Sequence, residues 1–149
     1  MPKEIERKFL VSGSGWRKSA SRGKSVQQAY LALTDKISLR VRIVSKTKAY
    51  VTIKSAESTA IRAEFEYSIP LKDAQALMKL RTGRVIDKRR HLVKVGKKRF
   101  EVDVFKGARR GLVIAEIELP ARRAPFNRPK WLGKEVTGNS RYYNANLAS

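Results

Sequence analysis

Cysteine is missing from this 149-residue chain, so disulfides and thiolate–metal sites are excluded. Histidine occurs once, at His91, on a basic stretch where a plain surface role is expected. No apolar run approaches the ~18 residues that a membrane span needs. Glu4 and Glu6 interrupt the start of the chain, so a secretory leader is not expected. A cytoplasmic protein with no membrane partner is the simplest expectation. A glycine-rich phosphate loop of the P-loop kind is also missing, as are repeats of solenoid period and low-complexity tails. Acidic residues are scarce: 13 Asp and Glu stand against 34 Lys and Arg, a formal charge of +21. Such an excess implies a polyanionic partner, whether nucleic acid, an anionic surface or a phosphorylated small molecule.

The length suits one domain over residues 1–149, and 42% hydrophobic content is enough for a real core. Alternation of period two dominates the chain. Residues 2–11, 25–33, 37–44, 50–54, 62–69, 84–95, 99–105 and 112–119 each read as a strand. Residues 12–24 and 120–129 read as loops, the first with a short helix around Trp16. Ala74, Leu77 and Met78 recur at helical spacing after Pro70, which predicts a core-packing helix over 73–80. Residues 140–147 read as a short C-terminal helix, with Ser140 as its cap. The expected fold is mainly β, of α+β type: an eight-stranded antiparallel β-barrel with a few flanking helices.

The few acids are not scattered. Eight of the 13 form alternate-position pairs on four predicted strands: Glu4/Glu6, Glu64/Glu66, Glu101/Asp103 and Glu116/Glu118. Alternate residues on a strand share a face, roughly 6.5–7 Å apart. Two carboxylates at that spacing can reach one hard cation, and without it they repel. The same polar face collects Lys8, Arg40, Arg42, Thr52, Lys54, Arg62, Lys88 and Arg90, and the opposite face is apolar. One arrangement consistent with this pattern is a lattice of surface salt bridges, each worth little. The other is a closed sheet whose charged face lines a lumen, a costly arrangement unless water or ligand fills it. That lumen would be a polar tunnel, with carboxylates for Mg²⁺ or Mn²⁺ and cations for phosphate. Phosphoryl transfer needs mainly positioning and charge neutralisation. This inventory supplies both without His, Cys or Ser. Tyr50, Phe65 and Tyr67 would suit base stacking on an exposed strand, but packing in the core is expected of them.

The run Glu4-Ile5-Glu6-Arg7-Lys8 resembles the N-terminal ExExK signature of the CYTH superfamily, the triphosphate tunnel metalloenzymes. Arg40-x-Arg42, Thr52-x-Lys54, Arg62-x-Glu64-x-Glu66, Lys88-x-Arg90, Glu101-x-Asp103 and Glu116-x-Glu118 follow in the family's order. Lys134-Glu135-Val136-Thr137, Tyr142-Tyr143-Asn144 and Leu147 resemble its tail. The resemblance implies an eight-stranded tunnel that binds a triphosphate group. It is greatest to the short bacterial inorganic triphosphatases, which implies a metal-dependent hydrolase releasing orthophosphate from inorganic or other triphosphates. By the same resemblance Lys8, Arg40, Arg42, Lys54, Arg62, Lys88 and Arg90 would hold phosphates, with Lys134 closing one mouth. Glu4, Glu6, Asp103, Glu116 and Glu118 would hold one or two Mg²⁺ or Mn²⁺ ions. Glu4, Glu6, Glu64 or Glu66 would orient the attacking water. The family also contains thiamine triphosphatases and class IV adenylate cyclases, so those reactions stay open, as does a monomer or a homodimer. Much of the positive charge lies outside this set, in 17–24, 79–99 and 106–130. A basic surface for nucleic acid or polyphosphate, with or without catalysis, therefore stays open too.

Overall fold

The computed structural model describes residues 5–55 and 63–148. Nine strands form one antiparallel sheet: β1 (Ile5–Val11), β2 (Lys24–Leu33), β3 (Ile37–Val44), β4 (Lys48–Ser55), β5 (Glu64–Ile69), β6 (Thr82–Val95), β7 (Lys98–Phe105), β8 (Val113–Leu119) and β9 (Leu132–Glu135). The helices are short: α1 (Leu71–Met78) and α2 (Asn144–Leu147). Among the described residues no helix is long and apolar enough to cross a membrane.

The mainly β, antiparallel expectation holds, with two corrections. The hydrogen-bonded order is β5-β4-β3-β2-β6-β7-β8-β1-β9, so among the described residues the strands number nine and the sheet is not closed as a strict barrel. The additional strand, β9, is four residues with no apolar–polar alternation. Its pairing with β1 depends on Gly133, where a Cβ would meet the Leu10 carbonyl oxygen at 2.8 Å. Arg7 and Glu135 then tie the two strands by a two-pronged ion pair, Nε–Oε2 at 2.8 Å and Nη2–Oε1 at 2.6 Å.

The described residues fall into two compact units: 5–24 with 89–142, and 25–88 with 143–148. Each has its own apolar cluster. In the first unit Phe9, Trp16, Phe100, Ile117 and Leu119 are almost wholly enclosed. In the second, Ala29, Val41, Ile43 and Ala49 of β2–β4 pack with Ala74 of α1, and Leu71, Leu77 and Met78 complete that contact. Helix α1 thus does the packing expected of it. Pro70 is its N-cap residue, and the chain turns directly from β5 into the helix.

Two expectations about single side chains are overturned. His91 is not on the surface: it is 8% exposed, with Nδ1 2.8 Å from the Ser21 carbonyl oxygen and its ring 5.1 Å from that of Trp16. The 3₁₀ turn Gly15–Ser19 brings Trp16 there. Gly23, at φ 83°, permits the contact, since a Cβ would lie 2.8 Å from His91 Nδ1. Phe65 and Tyr67 are not core residues; they are 52% and 56% exposed on the edge strand β5.

Candidate active site

In the first unit, strand register gathers acids onto one face. Lys8 lies opposite Glu116 and Glu6 opposite Glu118 across β1 and β8. Glu101 lies opposite Glu116 across β7 and β8. Directly opposed residues point the same way, so five charged side chains share a surface three strands wide. A cavity of about 360 Å³ opens there, lined by Leu92, Lys98, Arg99, Glu101, Glu116 and Glu118.

The cations here are held by specific partners. Arg90 on β6 donates from Nε and Nη2 to the two oxygens of Asp103 at 2.8 and 2.9 Å. Its Nη1 reaches Glu101 Oε2 at 2.8 Å. Burial opposes charge on this guanidinium. The hydrogen bonds that Arg90 donates to Asp103 and the charges of Asp103, Glu101 and Glu116 outweigh it, so the Arg90 pKa is raised further above its already high ordinary value. Lys8 Nζ lies 3.7 Å from Glu116 Oε1 and donates to the Tyr142 carbonyl at 3.3 Å. The backbone of Lys8 is clamped by the chain after β9: its N–H donates to Thr137 Oγ1 and its carbonyl accepts from Val136 N–H.

The second unit presents a more cationic face. Across β2, β3 and β4, Gln28 lies opposite Arg42 and Arg40 opposite Thr52. Lys54 lies opposite Glu64 and Thr52 opposite Glu66 across β4 and β5. Arg40 is 7% exposed and Lys88, on β6, only 1%. Glu64 and Glu66 are exposed, and Glu64 approaches Lys54 Nζ only to 3.9 Å.

The comparisons with known proteins decide the family. The CYTH domain matches residues 2–148. The chain belongs to the CYTH family. Inorganic triphosphatase of Acetivibrio thermocellus is 43% identical over 148 residues, covering 99% of this chain and 94% of that protein. The Nitrosomonas europaea inorganic triphosphatase is 36% identical, with 97% and 96% covered. A solved inorganic triphosphatase, 35% identical, superposes with a TM-score of 0.76 over 99% of this chain and 95% of that one.

The expected CYTH site residues sort as follows. Glu6, Lys8, Glu116 and Glu118 come together on the β1–β8 face, and Arg90 stands beside Asp103. Arg40, Arg42 and Lys54 come together on the β2–β4 face. Lys134 stands exposed on β9. Glu4 and Arg62 lie outside the described residues. Asp103, expected as a metal ligand, directs both oxygens at Arg90.

The donor set fits a hard divalent cation only in a particular way. Among the described residues no three His, Asp or Glu side chains gather closely enough to hold a metal alone. Mg²⁺ does not require such a cage, because it keeps several waters and is usually held by one or two carboxylates plus substrate phosphates. The carboxylates of Glu101, Glu116 and Glu118, which line the cavity with Lys98 and Arg99, suit that mode.

Sequence reasoning missed Lys98 and Arg99 at the cavity and Gln28 beside Arg42. Gln28 carries no charge, so a search for charged alternation passes over it.

Proposed function

We propose that this chain is a divalent-metal-dependent inorganic triphosphatase, cleaving tripolyphosphate to orthophosphate and pyrophosphate in the cytoplasm. The observation that carries the reading is the convergence of Glu6, Glu101, Glu116 and Glu118 on one face with Lys8 paired among them. The inorganic triphosphatases it resembles, at 43% and 36% identity over nearly the whole chain, support the substrate class.

Glu116 and Glu118, with Glu101 beside them, would hold Mg²⁺ or Mn²⁺; Glu6 and Glu4 are assigned to the same task. A divalent cation held by these carboxylates would supply positive charge to offset that of the triphosphate as it is cleaved. Lys8 and Arg90 supply fixed positive charge on the first unit; Arg40, Arg42, Lys54 and Lys88 supply it on the second. Asp103 and Glu101 hold the Arg90 guanidinium in one orientation, so no ordering cost falls on the reaction itself. Glu6, or Glu64 and Glu66, would accept a hydrogen bond from the attacking water. Water oxygen bonds to the terminal phosphorus, the bridge P–O bond breaks, pyrophosphate leaves with the bridge oxygen, and the proton lost by the water passes to solvent.

The test is phosphate release from tripolyphosphate with Mg²⁺ or Mn²⁺. Glu6 and Glu118 are exposed, so Glu6→Gln and Glu118→Gln should melt like the wild type. Each should lose about 100-fold or more in turnover, at or beyond the upper end of what even outer-shell metal partners contribute. Unchanged turnover in both would remove the assignment. With ATP, cyclic AMP among the products would replace hydrolysis by cyclisation.

A further inference from the structure

The second unit encloses three hydrogen-bond donors that no described residue satisfies. Gln28 is 0% exposed, Thr52 1% and Arg40 7%. Gln28 Nε2, Arg40 Nε and Thr52 Oγ1 are shut away from solvent with no partner among the described residues. Each buried donor left unmade costs about 1–3 kcal/mol, so three on adjacent strands require an explanation.

Register puts them on one face. Thr52 on β4 is directly opposite Arg40 on β3. Gln28 on β2 is opposite Arg42, two residues along β3 from Arg40 and therefore on the same side. Opposed Cβ atoms sit about 5 Å apart and diagonal neighbours about 7–8 Å, so one small polyanion spans the set. The amide of Gln28 has a determined sense. Its Oε1 accepts from Arg42 Nε at 3.0 Å. Arginine has only donors, so the oxygen faces Arg42 and the NH₂ is the group left over. Two N–H groups and a hydroxyl therefore await an acceptor with several lone pairs and negative charge. Phosphoryl oxygens have that character.

We infer that Gln28 and Thr52 donate hydrogen bonds to phosphoryl oxygens of the triphosphate, alongside Arg40, and that Gln28 also positions Arg42. This rests on the triphosphatase reading above. The two neutral donors add direction without adding charge. In the ligand-free protein they carry a cost that the anion removes on binding.

The experiment is calorimetric titration with tripolyphosphate in the presence of a chelator, together with ligand-free melting. Thr52→Val should melt at or above the wild-type temperature, since it deletes an unmet hydroxyl, yet bind tripolyphosphate about 10-fold or more weakly. Thr52→Ser, which keeps the hydroxyl, should restore binding. Gln28→Ala should also weaken binding, and should weaken it further in an Arg42→Ala background. No further loss there would mean that the amide acts only through Arg42, which overturns its direct contact. Wild-type affinity in both Thr52→Val and Gln28→Ala, with wild-type protein still hydrolysing tripolyphosphate, would overturn the inference and leave the enzyme reading intact. A wild type that neither binds nor hydrolyses tripolyphosphate would end both.

Discussion

The two units of this chain treat their polar donors in opposite ways. In the first, cations are satisfied by neighbouring acids: Arg90 by Asp103 and Glu101, Lys8 by Glu116, Arg7 by Glu135. In the second, Arg40, Gln28 and Thr52 hold donors that no atom of the described residues meets. An internal ion pair stabilises a geometry before any ligand arrives. An unmet donor does the reverse, raising the free energy of the empty state and lowering it when an acceptor comes. The first unit is therefore built for preorganisation and the second for capture. Substitutions should separate the two, because removing a partner harms one unit, whereas removing a donor relieves the other.

The largest effect should come from Asp103→Asn. Asp103 is 2% exposed and accepts two hydrogen bonds from one guanidinium. Its loss leaves the half-buried Arg90 with Glu101 alone as its ion-pair partner, a change that should approach the about 3–5 kcal/mol cost of breaking a buried pair. Chemical denaturation of the variant measures this directly. A loss below about 1 kcal/mol would mean that the pair is no more than a surface contact, and the contrast between the units would fail.

Arg40→Met probes the other side. Arg40 contributes a buried charge whose Nε finds no partner among the described residues. An apolar side chain of similar length should leave stability equal or higher, as when buried ions give way to packed hydrophobes. Tripolyphosphate affinity should fall about 10- to 100-fold, the range for a lost bond to a charged acceptor. Melting and titration of the same preparation decide it. Destabilisation without loss of affinity would turn Arg40 into a structural residue.

This contrast explains what was legible in the sequence. Period-two alternation, as in Arg40-Val41-Arg42-Ile43, announces a strand with one wet and one greasy face. Most strand positions and the clustering of Glu6, Lys8, Glu116 and Glu118 followed from it. What alternation does not encode is which side chain answers which. Glu101 and Asp103 look equivalent on β7, yet Glu101 lines a cavity and Asp103 is closed over Arg90. The burial of His91 depends on Trp16, 75 positions away, and on the bare backbone of Gly23. Strand β9 depends on Gly133 fitting against Leu10, a fact about approach distance with no periodic signature. Gln28 was invisible because its amide carries no charge.

The smallest effect concerns the clamp on Lys8. Arg7, by two hydrogen bonds, and Thr137, by a third of 2.6 Å, hold the Glu135 carboxyl at a pKa of about 2, below its ordinary 4.5. A depressed carboxylate contributes stability that is fully present above about pH 4.5 and is lost as the pH falls toward 2. Because Glu135 is partly exposed, solvent screens the pair, and Glu135→Gln should cost about 1 kcal/mol or less. The difference in stability between wild type and Glu135→Gln should be constant from pH 5 to 8 and should shrink as the carboxyl protonates. Hydrogen exchange at the Val136 amide, which donates to the Lys8 carbonyl, should speed up in the variant while the Val102 amide inside the core does not. Equal protection of Val136 in both proteins would show that Lys8 is held without Glu135, and the first unit would then owe less of its order to ion pairing than the comparison requires.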